Sequence, residues 1–130
     1  MTIYLLVTLF FVGFFINLLW ELLHSTLYKT CWDAPLNKFV YLMVKGSTFD
    51  GIVIVIIYFI TRLLFGDYYL VAFVFIAFLF AYGWEIYSVK AGRWEYSDKM
   101  PLVFGAGLTP IVQLAITGAV SIYVVVMFFK

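Results

Sequence analysis

Residues 3–23 read IYLLVTLFFVGFFINLLWELL, an apolar run interrupted by Asn17 and Glu21. A helix needs about 20 mostly apolar residues to cross a bilayer, so this stretch alone predicts a membrane span. Working outward, three further apolar stretches follow at about 47–65, 68–88 and 102–129. Lipid offers no water to exposed backbone groups, so each stretch is expected to be helical. The expected fold is all-α: an integral-membrane four-helix bundle, with residues 1–130 forming a single transmembrane domain.

The composition agrees with that reading. Of the 130 residues, 66% are hydrophobic, 22% aromatic and 12% charged, with a mean hydropathy of +1.10. Soluble domains are roughly 45–50% apolar and about 25% charged, which excludes a water-soluble globule, a disordered tail and a nucleic-acid binder. The net charge of +1 offers no basic surface for nucleic acid. Cys31 is the single cysteine, so no internal disulfide is expected. No positive leader precedes Ile3 and no Ala-x-Ala site follows, so the first span is expected to stay rather than be cleaved.

The placement of charge sets an orientation. Lys29, Lys38 and Lys45 fall in the first linker and Lys90, Arg93 and Lys99 in the third, against Arg62 and Lys130 on the opposite side. The excess of basic residues puts linkers one and three in the cytoplasm and both termini outside; the membrane is expected to be a bacterial or archaeal inner membrane. The second span is read as starting near Ser47, after an interfacial segment around Phe39–Val44. Ser47-Thr48-Phe49-Asp50 has capping-box spacing, which makes Asp50 a helix-start cap before it is anything else. Pro110 predicts a kink in the fourth span, loosened by Gly105 and Gly107.

A faint repeat runs through the chain. Trp20-Glu21 closes the first span, with Trp32-Asp33 and Pro35 after it; Trp84-Glu85 closes the third, with Trp94-Glu95 and Pro101 after it. An even number of spans separates the two, so this predicts a parallel internal repeat of two helix pairs.

Helical spacing then gathers the chemistry. Asn17, Trp20, Glu21, His24 and Tyr28 fall on one stripe of the first span. Glu85 shares its face with Phe78, Tyr82 and Ser88, and Ala106, Thr109, Gln113, Thr117 and Val120 form a small and polar stripe on the fourth span. Glu21, Glu85, Asp50 and His24 are the candidate catalytic groups, because ionisable side chains inside a membrane are functional candidates by default. Asn17, Trp20, Tyr82, Trp84, Trp94, Tyr96, Arg93, Thr109 and Gln113 are the candidate substrate-binding residues. The blander alternatives are carboxylates that reach interfacial water and tryptophans that form an aromatic belt. A lone His24 without a cysteine pair leaves no expected metal site, and no cofactor is expected. The segment Gly92–Pro101 reads as a lid over the cytoplasmic mouth, where the Arg93 fork could hold a carboxylate or phosphate, or as an interfacial loop anchored by Trp94 and Tyr96.

Asn17-x-x-Trp20-Glu21, Trp84-Glu85, Gly92-x-Trp94-x-Tyr96-x-x-x-Met100-Pro101 and Gly107-Leu108-Thr109-Pro110-x-x-Gln113 resemble an uncharacterised family of small four-span bacterial membrane proteins. More remotely, the Asn/Trp-Glu pair near the cytosolic end of an early span is similar to the integral-membrane terpene cyclases of fungal meroterpenoid pathways. That analogy implies acid roles for Glu21 and Asp50 on a polyprenyl substrate, although those enzymes have about seven spans rather than four.

The expected function is an intramembrane acid/base enzyme, of cyclase, isomerase or hydratase type, acting on a membrane lipid or isoprenoid. The alternatives are a proton- or cation-coupled transporter or channel and an accessory membrane subunit, with a homo-oligomer compatible with each.

Overall fold

The computed structural model describes residues 1–130. The chain is almost entirely helical: α1 (Ile3–His24), a short α2 (Lys29–Trp32), α3 (Leu36–Phe65), α4 (Tyr69–Lys90) and α5 (Leu108–Phe128). A small hairpin, β1 (Leu102–Val103) and β2 (Ala106–Gly107), stands before α5. Three helical segments are long and apolar enough to cross a membrane: Ile3–Leu27, the 55-residue Leu36–Lys90, and Leu108–Phe128.

The middle segment is two helices folded back on each other. Gly66 takes φ +53, a conformation closed to most residues, and reverses the chain after α3. The Arg62 guanidinium donates to the Gly66 carbonyl at 2.9 Å and lies 5.0 Å from the Tyr69 ring. Antiparallel pairing follows: Tyr58 meets Tyr69 edge-on, and Phe49 stacks on Trp84 with ring centroids 4.9 Å apart. α1 packs against α3 and α5, and α4 packs against the same two helices, so the four long helices form a ring in the order α1, α3, α4, α5.

Small residues decide how closely those helices approach. Each α4 stripe residue, Phe73, Ala77, Ala81, Glu85 and Ser88, is buried. A Cβ on Gly51 would sit 3.2 Å from the Phe10 backbone oxygen, so α1 and α3 cross there with only hydrogen between them. A Cβ on Gly118 would collide with the Phe73 ring, so that ring fills the notch on α5. The core is Leu9, Ile54, Ile57, Phe73, Ala77, Leu114, Ile122 and Val125 with their neighbours. Outside it the distribution is inverted relative to a soluble protein. Asn17, Glu85 and Gln113 are buried while Phe11, Phe15, Leu19, Val71 and Phe75 are exposed, the arrangement a lipid surrounding favours.

Two helix starts differ from the sequence expectation. α3 begins at Leu36 and runs through 47–50 without a break. The Ser47 and Thr48 hydroxyls donate to the carbonyls of Met43 and Val44, both at 2.8 Å, which keeps them inside the helix. Phe39–Val44 is therefore helix rather than a separate interfacial segment, and Asp50 is not a cap. α5 begins at Leu108, not near 102, because Phe104 (φ 50) and Gly105 (φ 82) form the tight turn of the hairpin instead. Pro110 is then the third residue of α5, where a helix lacks an acceptor for its N–H in any case, and no kink is needed. The polar stripe shifts with it. Gln113, Thr117 and Ser121 are buried, whereas Val120 faces out and Ala106 belongs to the hairpin. Phe78, read onto the Glu85 face, is exposed.

Candidate functional site

All four long helices contribute to one cavity of about 360 Å³, lined by Glu21, Met43, Asp50, Phe49, Phe80, Ala81, Trp84, Glu85, Gln113 and Leu114, with Tyr28, Cys31 and Trp94 from the connecting segments. It lies at the end of the bundle where α1 and α4 finish and α5 begins.

The first polar cluster is organised by the Gln113 side-chain amide. Its Nε2 lies 3.0 Å from Asn17 Oδ1, 3.1 Å from Glu21 Oε1 and 3.0 Å from Asp50 Oδ2. Two hydrogens face three acceptor oxygens, so either one contact lacks a hydrogen or one N–H is shared between two of the oxygens. Asn17 is held from behind: its Nδ2 donates to the Gly13 carbonyl at 2.8 Å, and the Thr117 hydroxyl donates to its Oδ1 at 2.9 Å. His24 Nε2 lies 3.1 Å from Glu21 Oε2, and its Nδ1 lies 3.2 Å from the Thr109 hydroxyl. α3 passes against this carboxyl at Gly46, where a Cβ would be 3.5 Å from Glu21 Oε1.

The second cluster is built on Glu85, which is 3% exposed. Its Oε1 accepts from the Tyr28 hydroxyl at 2.9 Å, the Tyr96 hydroxyl at 2.6 Å and the Trp94 indole N–H at 3.0 Å. Oε2 accepts no hydrogen bond from the protein, and Glu85 lines the cavity. With three donors crowded on Oε1, a proton on this group belongs on Oε2. Burial and the neighbouring Glu85 push the Tyr28 phenol well above its ordinary range. Burial and the hydrogen bond to Glu85 do the same to Tyr96. Both tyrosines therefore remain donors throughout the physiological range.

The segment Gly92–Pro101 is what brings these donors in. Ser97 N–H donates to the Leu27 carbonyl at 2.8 Å and Lys29 N–H to the Glu95 carbonyl at 2.9 Å, clasping the segment to the chain that follows α1. Gly107 N–H donates to the Tyr96 hydroxyl at 2.9 Å, so the hairpin fixes that ring from the other side. Arg93 makes no ion pair; its guanidinium lies 4.8 Å from the Trp84 ring and 5.2 Å from the Trp94 ring.

The candidate residues divide accordingly. Glu21, Asp50, Glu85, Gln113, Trp84, Arg93 and Trp94 line the cavity. Asn17, His24, Tyr96 and Thr109 stand behind them as hydrogen-bond partners. Trp20 packs edge-on against His24, its indole N–H buried without a partner, and Tyr82 turns away to donate to the Phe104 carbonyl at 3.2 Å; neither lines the cavity. Trp84 and Trp94 belong to the cavity wall rather than to an outward belt, while Trp32 is exposed. Four cavity-lining residues lie outside the expected set: Tyr28, on the α1 stripe but without an expected role, and Phe49, Phe80 and Lys45. Tyr28 carried a signal in its spacing of seven from Glu21; the other three depend on how α3 meets α4. Burial holds the Cys31 thiol up at about 11, with the Glu21 charge adding to it, so this cavity-lining cysteine is a poor nucleophile at neutral pH. No group of three His, Cys, Asp or Glu side chains stands close enough to hold a metal ion.

Comparison with protein-family models, with curated proteins and with solved structures yields no match to this chain.

Proposed function

We propose that the chain is a membrane-embedded four-helix bundle that performs acid/base chemistry on a lipid or isoprenoid, of cyclase, isomerase or hydratase type. The observation that carries this reading is the pairing of two kinds of carboxyl in one largely apolar cavity. The Glu21–Asp50 pair shares an amide one hydrogen short, and Glu85 presents a free Oε2. In this mechanism the Glu21–Asp50 pair gives a proton to one carbon of an alkene; His24 holds Glu21 directly, and Asn17 holds the Gln113 amide that bonds it. The carbocation faces Trp84, Phe49 and Phe80, whose π faces attract it. In a cyclisation or isomerisation Glu85 Oε2 removes a proton from another carbon and the product is an isomer; in a hydration it takes the proton of the water that adds to the carbocation, and neither consumes an oxidant or reductant. Return of the proton to the pair closes the cycle.

The orientation with both termini outside follows from the basic residues at the cavity end, and a bacterial inner membrane is what the resemblance implies. The resemblance to small four-span bacterial membrane proteins and the repeat of two helix pairs belong to the same proposal. Supporting the repeat, Glu21 is followed on α3 by Asp50 at nearly the spacing that separates Glu85 from Gln113 on α5.

Deuterium tests the reaction. Membranes containing the protein, incubated in D2O, should place deuterium on lipid carbons, and Glu85→Gln and Glu21→Gln should lower that incorporation by about 100-fold or more. Equal incorporation in both variants and the parent overturns the reading. Transport is the weaker alternative: beyond the cavity the core is Leu9, Ile54, Phe73, Ile122 and Val125, and Thr61 and Ser121 are bonded to their own helices' carbonyls. Proton flux in liposomes abolished by Glu85→Gln would favour it.

A further inference from the structure

The cavity is polarised from end to end. Glu21, Asp50 and Glu85 occupy its interior, whereas Lys45 and Arg93 both line it and are both exposed, which places them at its opening. Neither cation has a carboxylate within 4 Å, since the two ion pairs of the molecule are His24 with Glu21 and Lys29 with Glu95. Lys45 instead lies 5.7 Å from the Tyr41 ring, and Arg93 rests on the faces of Trp84 and Trp94. A stack of Arg93, Trp84 and the Phe49 and Phe80 rings runs along this wall, with Trp84 nearly parallel to Phe80 at 9°. Phe80 and Lys45 are exposed on the outer surface, so the wall continues from the cavity to the surroundings of α3 and α4.

Resting on the reading of this cavity as a lipid site, we infer that its substrate is an amphiphile with a phosphate head, held head-outward by Lys45 and Arg93. A phosphate monoester carries about −1.5 to −2 charges at neutral pH, which matches two unpaired cations. The interior carboxyls repel such a head, so one end of the molecule alone can enter. Arg93 is pre-positioned by its two rings, and its fork suits a phosphate better than a point charge does. Lys45 precedes Asp50 by five residues on one helix, about 7.5 Å along the axis. A head at Lys45 therefore sets the carbons a few bonds down the chain at the level of the Glu21–Asp50 pair, along the Phe49 and Trp84 faces.

The experiment is calorimetric titration of the full chain in phosphatidylcholine nanodiscs with three probes: farnesyl monophosphate, farnesol and inorganic phosphate. The amphiphile with the charged head is expected to bind about tenfold or more tightly than the alcohol, the size of one charge-assisted hydrogen bond. Lys45→Gln and Arg93→Gln should each erase most of that preference while circular dichroism stays unchanged. Lys45 is exposed, so its variant keeps the test decisive if the Arg93 variant folds poorly. Equal binding of phosphate and alcohol, an undiminished preference in Lys45→Gln, or inorganic phosphate competing as well as the amphiphile would each overturn the inference. Glu85→Gln should retain the preference, so a failure of the proposed reaction is distinguishable from a failure of head recognition.

Discussion

At one end of the bundle Leu9, Ile54, Ile57, Phe73, Ile122 and Val125 meet across a core closed by Gly51 and Gly118. At the other end the same four helices meet across Asn17, Glu21, Asp50, Glu85 and Gln113 and leave a cavity. The hydroxyls of the apolar end, Thr61 and Ser121, bond back to carbonyls of their own helices and tie nothing together. At the polar end Ser47 and Thr48 also bond back to their own helix, but other hydroxyls reach across: Tyr28 and Tyr96 to Glu85, and Thr117 to Asn17. Close packing without directional bonds stabilises the first end and gives it nothing to react with. The second gives up packing for oriented groups, the arrangement a site needs.

The sharpest way to break this comparison is one substitution at each end. Glu85→Gln keeps the shape and removes the proposed proton acceptor, and turnover should fall by about 10²–10⁴-fold with helicity retained. Ile54→Val should leave turnover unchanged and cost about 0.5–1.5 kcal/mol. If the two variants behave alike in a deuterium-incorporation assay, the division between ends is wrong.

Gly118→Leu comes next. It drives a side chain into the Phe73 ring, and overpacking of this kind costs about 1–3 kcal/mol. Thermal unfolding in detergent should show that loss, while activity per folded molecule stays at the parental level.

Tyr96→Phe should affect both readouts. Glu85 loses a donor, and the Gly107 N–H loses its acceptor at about 1–3 kcal/mol. Tyr82→Phe, which loses one bond to the Phe104 carbonyl, should cost about 0.5–1.5 kcal/mol and leave turnover alone. Equal losses of activity in the two variants would remove Tyr96 from the site.

The pH dependence separates the ends more gently. Tyr28, Tyr96 and Cys31 are all held above their unfolded values. Their contribution to stability is fully present below those values and is lost as pH rises through the folded ones. Melting temperature should therefore be insensitive to these groups near neutrality and fall from about pH 9 upward, where the thiol and then the phenols would ionise in the unfolded chain. Tyr28→Phe should flatten part of that fall. The smallest effect is expected at the hairpin. Phe104 holds φ 50 and is 89% exposed, and Phe104→Asn, a residue that tolerates this conformation, should raise stability by up to about 1 kcal/mol.

Much of this was legible in residue order, and the misses are specific. The four long helices follow from apolar length, and the Glu21 and Glu85 stripes from the 3.6-residue period. Lys45-Gly46-Ser47-Thr48 looked like a helix start because serine and threonine are good caps. In the fold their hydroxyls turn back to carbonyls one turn earlier. Residues 102–107 looked like helix because they are largely apolar, yet the left-handed pair Phe104-Gly105 makes a hairpin, and that hairpin positions Tyr96.

The sequence by itself determined that the helices are membrane-length and that carboxyls stand on inward faces at one end, since both follow from composition and from a period that every helix shares. It could not decide which carboxyl meets which partner. Tyr28 and Glu85 are 57 positions apart and Asn17 and Gln113 are 96 apart, and no periodicity spans two helices. Only the tertiary structure, through ring order, glycine-limited approach and a clasped loop, makes Gln113 the hub of one cluster and leaves Oε2 of Glu85 free in the other.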